Sequence, residues 1–168
     1  MKSIYLILTC LFMNALWSQE PTTTIYLIRH AEKADASSDP DLSEAGKARA
    51  EKWAQYFKDK NIRIIYSTPY KRAMQTFIPI SSTIDPIPGT VVEKTVRTYS
   101  PSALSLKEAA EKDSGKNILV VGHSNTIPGQ INKLLGENKY PDMKEDEFGN
   151  LYIIKITGNK ISHELIKM

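Results

Sequence analysis

The chain has 168 residues, and 22 Lys and Arg against 19 Asp and Glu leave a formal charge of only +3. This balance gives no reason to expect binding to nucleic acid or to an anionic membrane surface. The one cysteine, Cys10, lies in an N-terminal apolar segment that resembles a cleavable signal peptide. If that segment is removed, the remaining chain can have no disulfide, no thiol nucleophile and no cysteine-ligated zinc.

The N-terminus has the layout of a secretory signal peptide. Lys2 is followed by an apolar run over residues 4–17, and Ser18, Gln19 and Glu20 close it. A buried strand and a membrane anchor are the alternatives, but the run is shorter than the ~20 residues of a spanning helix. We expect a signal peptide at 1–19, one domain at 20–168, and an exported protein, periplasmic or secreted, that leaves the membrane after cleavage.

After residue 19 the chain alternates strand-like and helix-like segments. Asp41 and Ser43 are candidates to cap the first helix, and Gly136 to end the last. Apolar residues recur at helical spacing along the first helix, at Ala45, Ala48, Trp53, Tyr56 and Phe57, and the three aromatic residues among them are expected in the core. Strands are predicted at 23–28, 62–66, around 90–93, 117–121, 150–157 and 160–166, and helices at 43–58, 70–80, 102–112 and 125–135.

This alternation predicts an α/β fold with a mostly parallel sheet covered by helices on both faces. Sites in such folds form at the carboxyl ends of the strands. His30 and His123 each follow a predicted strand directly, so both are candidates for one site.

Chemistry at a phosphate needs a nucleophile and fixed positive groups. Arg29 precedes His30, Arg72 lies in the first turn of a predicted helix, and a helix begins just behind His123. Arginine can hold two phosphate oxygens at once, and a helix start presents free N–H groups to an anion. A metal site of His30, His123 and Glu32 is the alternative, which the adjacent arginine disfavours by repelling a cation.

Four segments resemble the histidine phosphatase superfamily, the phosphoglycerate mutase-like proteins. They are Leu-Ile-Arg-His-Ala-Glu-Lys at 27–33, Leu-Ser-Glu-Ala-Gly at 42–46, Tyr-Ser-Thr-Pro-Tyr-Lys-Arg-Ala-Met-Gln-Thr at 66–76, and Val-Val-Gly-His-Ser-Asn at 120–125. Their order and spacing cover most of the chain after residue 19. The resemblance implies a three-layer α/β/α sandwich and no metal or organic cofactor.

The resemblance also assigns roles to individual residues. His30 matches the phosphorylated nucleophile, and Arg29, Arg72 and His123 match the phosphate pocket, to which Ser124 in the last motif is added. The general acid is expected in the segment after the second arginine. Glu93 is the best positional match there, and Glu32, two residues from the nucleophile, is the alternative; a solvated or structurally paired carboxylate is the other reading of each.

Two departures from the family pattern favour its small phosphatases. Ala31 stands where the signature usually has Gly, and the short region between Arg72 and His123 leaves little room for a capping insertion, so an open, shallow site resembling the phosphohistidine phosphatase type is expected. The acidic run at 142–147 is either a solvated loop or a border of the site.

These observations predict an exported phosphatase that hydrolyses phosphomonoesters through a phosphohistidine on His30. The partner is a small phosphate ester or a phosphorylated envelope component. A mutase, which returns the phosphoryl group to an acceptor, and a phosphate- or phosphopeptide-binding module without turnover are the alternatives.

Overall fold

The computed structural model describes residues 20–83 and 95–168. The strands are β1 (Thr22–Arg29), β2 (Ile62–Ser67), β3 (Thr95–Thr98), β4 (Asn117–Gly122), β5 (Asn150–Thr157) and β6 (Lys160–Lys167), and the helices are α1 (Glu44–Phe57), α2 (Lys71–Thr83), α3 (Leu106–Lys112) and α4 (Thr126–Leu135). The predicted signal peptide at 1–19, the strand predicted around 90–93 and Glu93 lie outside the described residues.

The six strands form one mixed sheet in the order β3-β2-β4-β1-β5-β6. The pairs β2–β3, β2–β4 and β1–β4 are parallel, whereas β1–β5 and β5–β6 are antiparallel. Successive residues of a strand point to opposite faces, so Ile25 and Leu27 of β1 pack in one hydrophobic cluster, and Tyr26 and Ile28 in another.

Each face of the sheet is covered by a pair of helices. Trp53 and Phe57 of α1 and Phe77 of α2 pack on one face, and Ala109 of α3 and Ile131 of α4 pack on the other. The predicted three-layer α/β/α sandwich with a mostly parallel central sheet is therefore confirmed. No helix in the described part of the chain is both long enough and apolar enough to span a bilayer.

Local signals set most element ends. The Ser43 hydroxyl accepts the Gly46 N–H at the start of α1, as one of the two proposed caps. Gly136 ends α4 with a φ of 72°, and the hairpin turn at Gly158 and Asn159 joins β5 to β6. These three predictions are confirmed.

The predicted start of one helix is wrong. The helix predicted at 102–112 begins only at Leu106, because the Ser105 hydroxyl caps it by accepting the Glu108 N–H. In α1, Trp53 and Phe57 are buried as expected, and Tyr56 is half-buried. Gly46, Ala50 and Ala54 are buried beside them, whereas Ala45 and Ala48 are exposed.

Candidate active site

The sheet register brings the two strand-end histidines side by side. Arg29, the last residue of β1, pairs with Gly122, the last residue of the parallel neighbour β4. The next residue in each chain segment is His30 or His123, and their ring centroids lie 5.3 Å apart. The His30 N–H also donates to the Gly122 carbonyl at 2.9 Å, which fixes the backbone at this point.

The two ring nitrogens of His30 have different environments: Nδ1 is hydrogen-bonded to the backbone, and Nε2 is not. Nδ1 lies 2.8 Å from the Ala31 carbonyl oxygen, and because a carbonyl can only accept, Nδ1 carries the hydrogen. Nε2 then holds the lone pair in the neutral ring. Burial lowers the pKa of His30 to about 3, and the charges of Arg72 and Arg29 act in the same direction, so the ring is neutral at pH 7.

The Ala31 backbone is itself held from the neighbouring helix. Its N–H donates to the Thr76 hydroxyl at 2.9 Å, and that hydroxyl donates to the Arg72 carbonyl at 2.7 Å. Thr76 therefore connects the backbone next to His30 to the first turn of α2, where Arg72 is placed. Thr76 ends the motif at 66–76, and no role was predicted for it.

The Arg29 side chain is buried and divides its donors between a loop and the site. Nη1 donates to the carbonyl oxygens of Lys144, Glu145 and Glu147 at 2.8, 3.1 and 3.2 Å. Nη2 lies 3.4 Å from Oε2 of Glu145, and Nε is buried without a partner among the described residues. The Nε–Nη2 edge can therefore take two oxygens of an anion, while Nη1 holds the orientation.

Other polar atoms near the strand ends also lack partners. Nε of Arg72, Nε2 of His123 and Oγ1 of Thr68 are buried with no hydrogen bond to any described residue. Burial and, to a smaller extent, the charges of Arg72 and Arg29 together lower the pKa of His123 to about 4, so this ring is also neutral at pH 7. Because buried polar groups rarely go unpaired, donors left free on three neighbouring elements indicate a site for an anion.

Aromatic rings support both arginines. The Arg29 guanidinium lies 4.1 Å from the Phe148 ring centroid, and the Arg72 guanidinium lies 4.4 Å from that of Tyr70. The Tyr70 ring also meets His123 edge-on at 5.4 Å. Sequence analysis assigned no role to Tyr70 or Phe148. Tyr70 lies next to Lys71 and Arg72 in a recognised motif, which is a usable signal, whereas nothing near Phe148 in the sequence marks it.

Of the two candidates for the general acid, Glu93 and Glu32, the structure describes only Glu32. Glu93 lies outside the described residues, so its role stays a prediction. Glu32 accepts from Nε of Arg49 at 2.7 Å. Burial raises the pKa of Glu32, but the hydrogen bond and charge of Arg49 outweigh it and hold that pKa below its ordinary value. A general acid needs the opposite shift, so Glu32 is placed as a structurally paired carboxylate.

Ser124 and the acidic run lie at the same end of the sheet. Ser124 follows His123, and its carbonyl accepts the Met143 N–H at 3.0 Å; its hydroxyl has no hydrogen-bond partner among the described residues. The run at 142–147 borders the site rather than being only a solvated loop, since three of its carbonyls hold Arg29. Within the described ranges, no group of three or more His, Cys, Asp or Glu is arranged to hold a metal ion.

Comparison with known proteins agrees with this geometry. Residues 25–97 match the model of the histidine phosphatase superfamily (branch 1), a range that includes His30 and Arg72. No curated protein matches the chain in sequence.

Solved structures share the fold at low sequence identity. The protein histidine phosphatase SixA, complexed with tungstate, has a TM-score of 0.61 at 18% identity, covering 86% of this chain and 96% of that one. YhfR of Bacillus stearothermophilus has a TM-score of 0.64 at 14% identity, with coverage of 83% and 94%. A variant phosphoserine phosphatase from Entamoeba histolytica, in complex with phosphoserine, has a TM-score of 0.61 at 20% identity, with coverage of 84% and 94%.

Proposed function

We propose that this chain, a member of the histidine phosphatase superfamily, is an exported phosphatase that hydrolyses phosphomonoesters through a phosphohistidine on His30. The proposal rests mainly on the hydrogen bonding and the protonation state of the His30 ring. Its Nδ1–H donates to the Ala31 carbonyl, its Nε2 lone pair is free, and its pKa of about 3 keeps it neutral beside two arginines.

The reaction has two steps. Nε2 of His30 attacks phosphorus in line, the P–O bond to the leaving group breaks, and the leaving oxygen takes a proton from a general acid, for which Glu93 is the candidate. Water then attacks phosphorus and gives a proton to the carboxylate that the general acid became in the first step, and the P–N bond breaks to release inorganic phosphate and neutral His30. Arg29, Arg72 and His123 hold the phosphoryl oxygens and offset the charge that develops on them.

The neighbours' names support phosphate chemistry as the class of reaction. One is a protein histidine phosphatase bound to tungstate and another is a phosphatase bound to phosphoserine. A small phosphate ester or a phosphorylated envelope component is the proposed substrate class. Metal independence is also part of the proposal, because phosphoryl transfer at this site needs only the histidine and the fixed cations.

Export is supported by the layout of residues 1–19, which places an apolar run between Lys2 and the polar residues 18–20. We expect the full chain, expressed with its leader, to appear outside the cytoplasm with an intact mass that begins near residue 20. Retention of the full-length mass in the cytoplasm would contradict this part of the proposal.

The test of activity is p-nitrophenyl phosphate hydrolysis by residues 20–168 with excess chelator, for wild type and His30→Ala. Turnover that survives the chelator and is lost in the variant is the expected result. Activity that the chelator removes would contradict the metal-free mechanism. Phosphate binding without turnover would point to the binding module, and phosphoryl transfer to an added acceptor would point to a mutase.

A further inference from the structure

An exposed carboxylate lies against each arginine of the pocket. Oε2 of Glu145 is 3.4 Å from Nη2 of Arg29, and the Glu145 side chain is 87% exposed. Oδ1 of Asp39 is 3.9 Å from Nη1 of Arg72, and the Asp39 side chain is 40% exposed. The arginines are far more buried, so a molecule entering from solvent meets the carboxylates before it meets the guanidinium groups.

The loops that carry these carboxylates are acidic, although the whole chain has a formal charge of +3. Residues 33–41 contain three Asp and one Lys, a net charge of −2, and residues 142–147 contain four acidic residues and one Lys, a net charge of −3. The site therefore combines two buried arginines with two exposed carboxylates, Glu145 and Asp39, which define its mouth.

Holding Arg29 in place does not require the Glu145 carboxylate. The carbonyls of Lys144, Glu145 and Glu147 already fix Nη1, and Nε remains directed away from them without a partner. This ion pair adds little to stability, because it is long at 3.4 Å and the Glu145 carboxylate is 87% exposed and screened by solvent. The Glu145 carboxylate therefore acts mainly on a substrate that binds at the Nε–Nη2 edge of Arg29. It attracts a positively charged group of that substrate and repels a negatively charged one.

We propose that Glu145 and Asp39 determine specificity: they favour phosphate compounds whose leaving group carries a positive charge and disfavour those with a second anionic group there. The inference rests on the proposed function and names the substrate class of the same site. The phosphoryl group binds the buried arginine edges, and the rest of the substrate lies beside the two carboxylates at the mouth.

The test compares kcat/KM for O-phosphoethanolamine with kcat/KM for 3-phosphoglycerate. Wild type should prefer the ammonium compound, and Glu145→Gln should lower this preference about two- to fivefold, with a larger fall for Glu145→Lys. High salt should weaken the wild-type preference. Glu137→Gln is the matched control, because Glu137 is an exposed carboxylate beyond the far end of α4, and it should leave the ratio unchanged.

The outcomes separate this inference from the proposed function. If p-nitrophenyl phosphate is hydrolysed but Glu145→Gln leaves the ratio of the two compounds unchanged, the inference is overturned and the phosphatase stands. If no compound is hydrolysed, the proposed function fails, and displacement of bound tungstate by the same two compounds decides the inference instead. If the two compounds displace tungstate from Glu145→Gln with the same relative affinity as from wild type, the inference is overturned. A weaker preference for the ammonium compound in the variant supports it.

Discussion

At the scale of single residues, the site depends on how Arg29 distributes its hydrogen-bond donors. Three loop carbonyls take Nη1, and the Nε–Nη2 edge stays directed to the pocket. The planar guanidinium does both at once because its five N–H groups point in fixed directions. A lysine has the same charge on a single flexible ammonium group, so it can serve only one of the two tasks.

Arg29→Lys should therefore lower kcat/KM for p-nitrophenyl phosphate about a hundredfold, the usual effect of losing one well-placed donor to the transition state. Arg49→Lys is the matched control, since the Arg49 guanidinium contacts Glu32, and its effect should stay within a few-fold. Steady-state kinetics of both variants measure the difference. Comparable losses in the two would show that Arg29 acts only through the fold.

The residues that the sequence identified are those whose position follows from strand ends. Arg29 ends a strand, His30 and His123 directly follow strands, and Arg72 lies in the first turn of a helix. Adjacent parallel strands bring such positions together. Glu145 and Phe148 contact Arg29 only because the chain between α4 and β5 returns across the site. No local pattern encodes that path, so sequence reasoning left the acidic run with two alternatives.

At the scale of elements, the start of α1 is packed unusually close to the strand-end loop. The Ser43 N–H donates to the Glu32 carbonyl at 2.9 Å, and Lys33 and Leu42 form an isolated antiparallel bridge. A Cβ on Gly46 would overlap the Glu32 carbonyl oxygen, which is backbone and cannot rotate away. Gly46 is thus required by this close approach and not by its own backbone conformation.

Gly46→Ala should destabilise the protein by about 1–3 kcal/mol, although alanine is the better helix former, because α1 must shift to relieve the overlap. Gly129→Ala is the control on α4, where an added Cβ meets nothing within 4 Å. That substitution should be neutral or stabilise by up to about 1 kcal/mol. Urea unfolding of both variants gives the comparison, and equal effects would contradict the close packing of α1.

Element ends were predictable where one side chain or turn defines them. Ser43 caps α1, Gly136 closes α4, and Gly158 with Asn159 turns the hairpin. The burial of alanines in α1 was not predictable, because alanine is tolerated in the core and at the surface alike. The start of α3 was placed too early, since residues 102–104 have helical composition but Ser105 provides the cap.

At the scale of the whole molecule, the fold holds two neutral histidines against its cationic pocket. An unfolded histidine has a pKa of about 6.5, whereas the pKa of His30 in the folded chain is about 3. Between these values the unfolded chain binds a proton that the folded chain does not. Stability therefore falls as the pH is lowered through this window, by up to about 1.4 kcal/mol per pH unit for His30.

The free energy of unfolding should thus fall by about 1–2 kcal/mol more in wild type than in His30→Asn when the pH goes from about 6 to about 4.5. Asparagine cannot titrate and keeps a donor for the Ala31 carbonyl. Urea unfolding in phosphate-free buffer measures both proteins, and phosphate is avoided because a bound anion would stabilise the folded state. Parallel losses in the two proteins would contradict the neutral, buried His30.

If His30 carries the phosphoryl group during turnover, rapid quenching of wild type without acid, soon after a radiolabelled phosphomonoester is added, will trap the labelled histidine. We predict a transient label on His30 that is stable to alkali and lost in acid, as a phosphoramidate is, and that is absent from His30→Ala. Turnover by wild type without any such label, or a label that persists in His30→Ala, would contradict a phosphohistidine intermediate on His30.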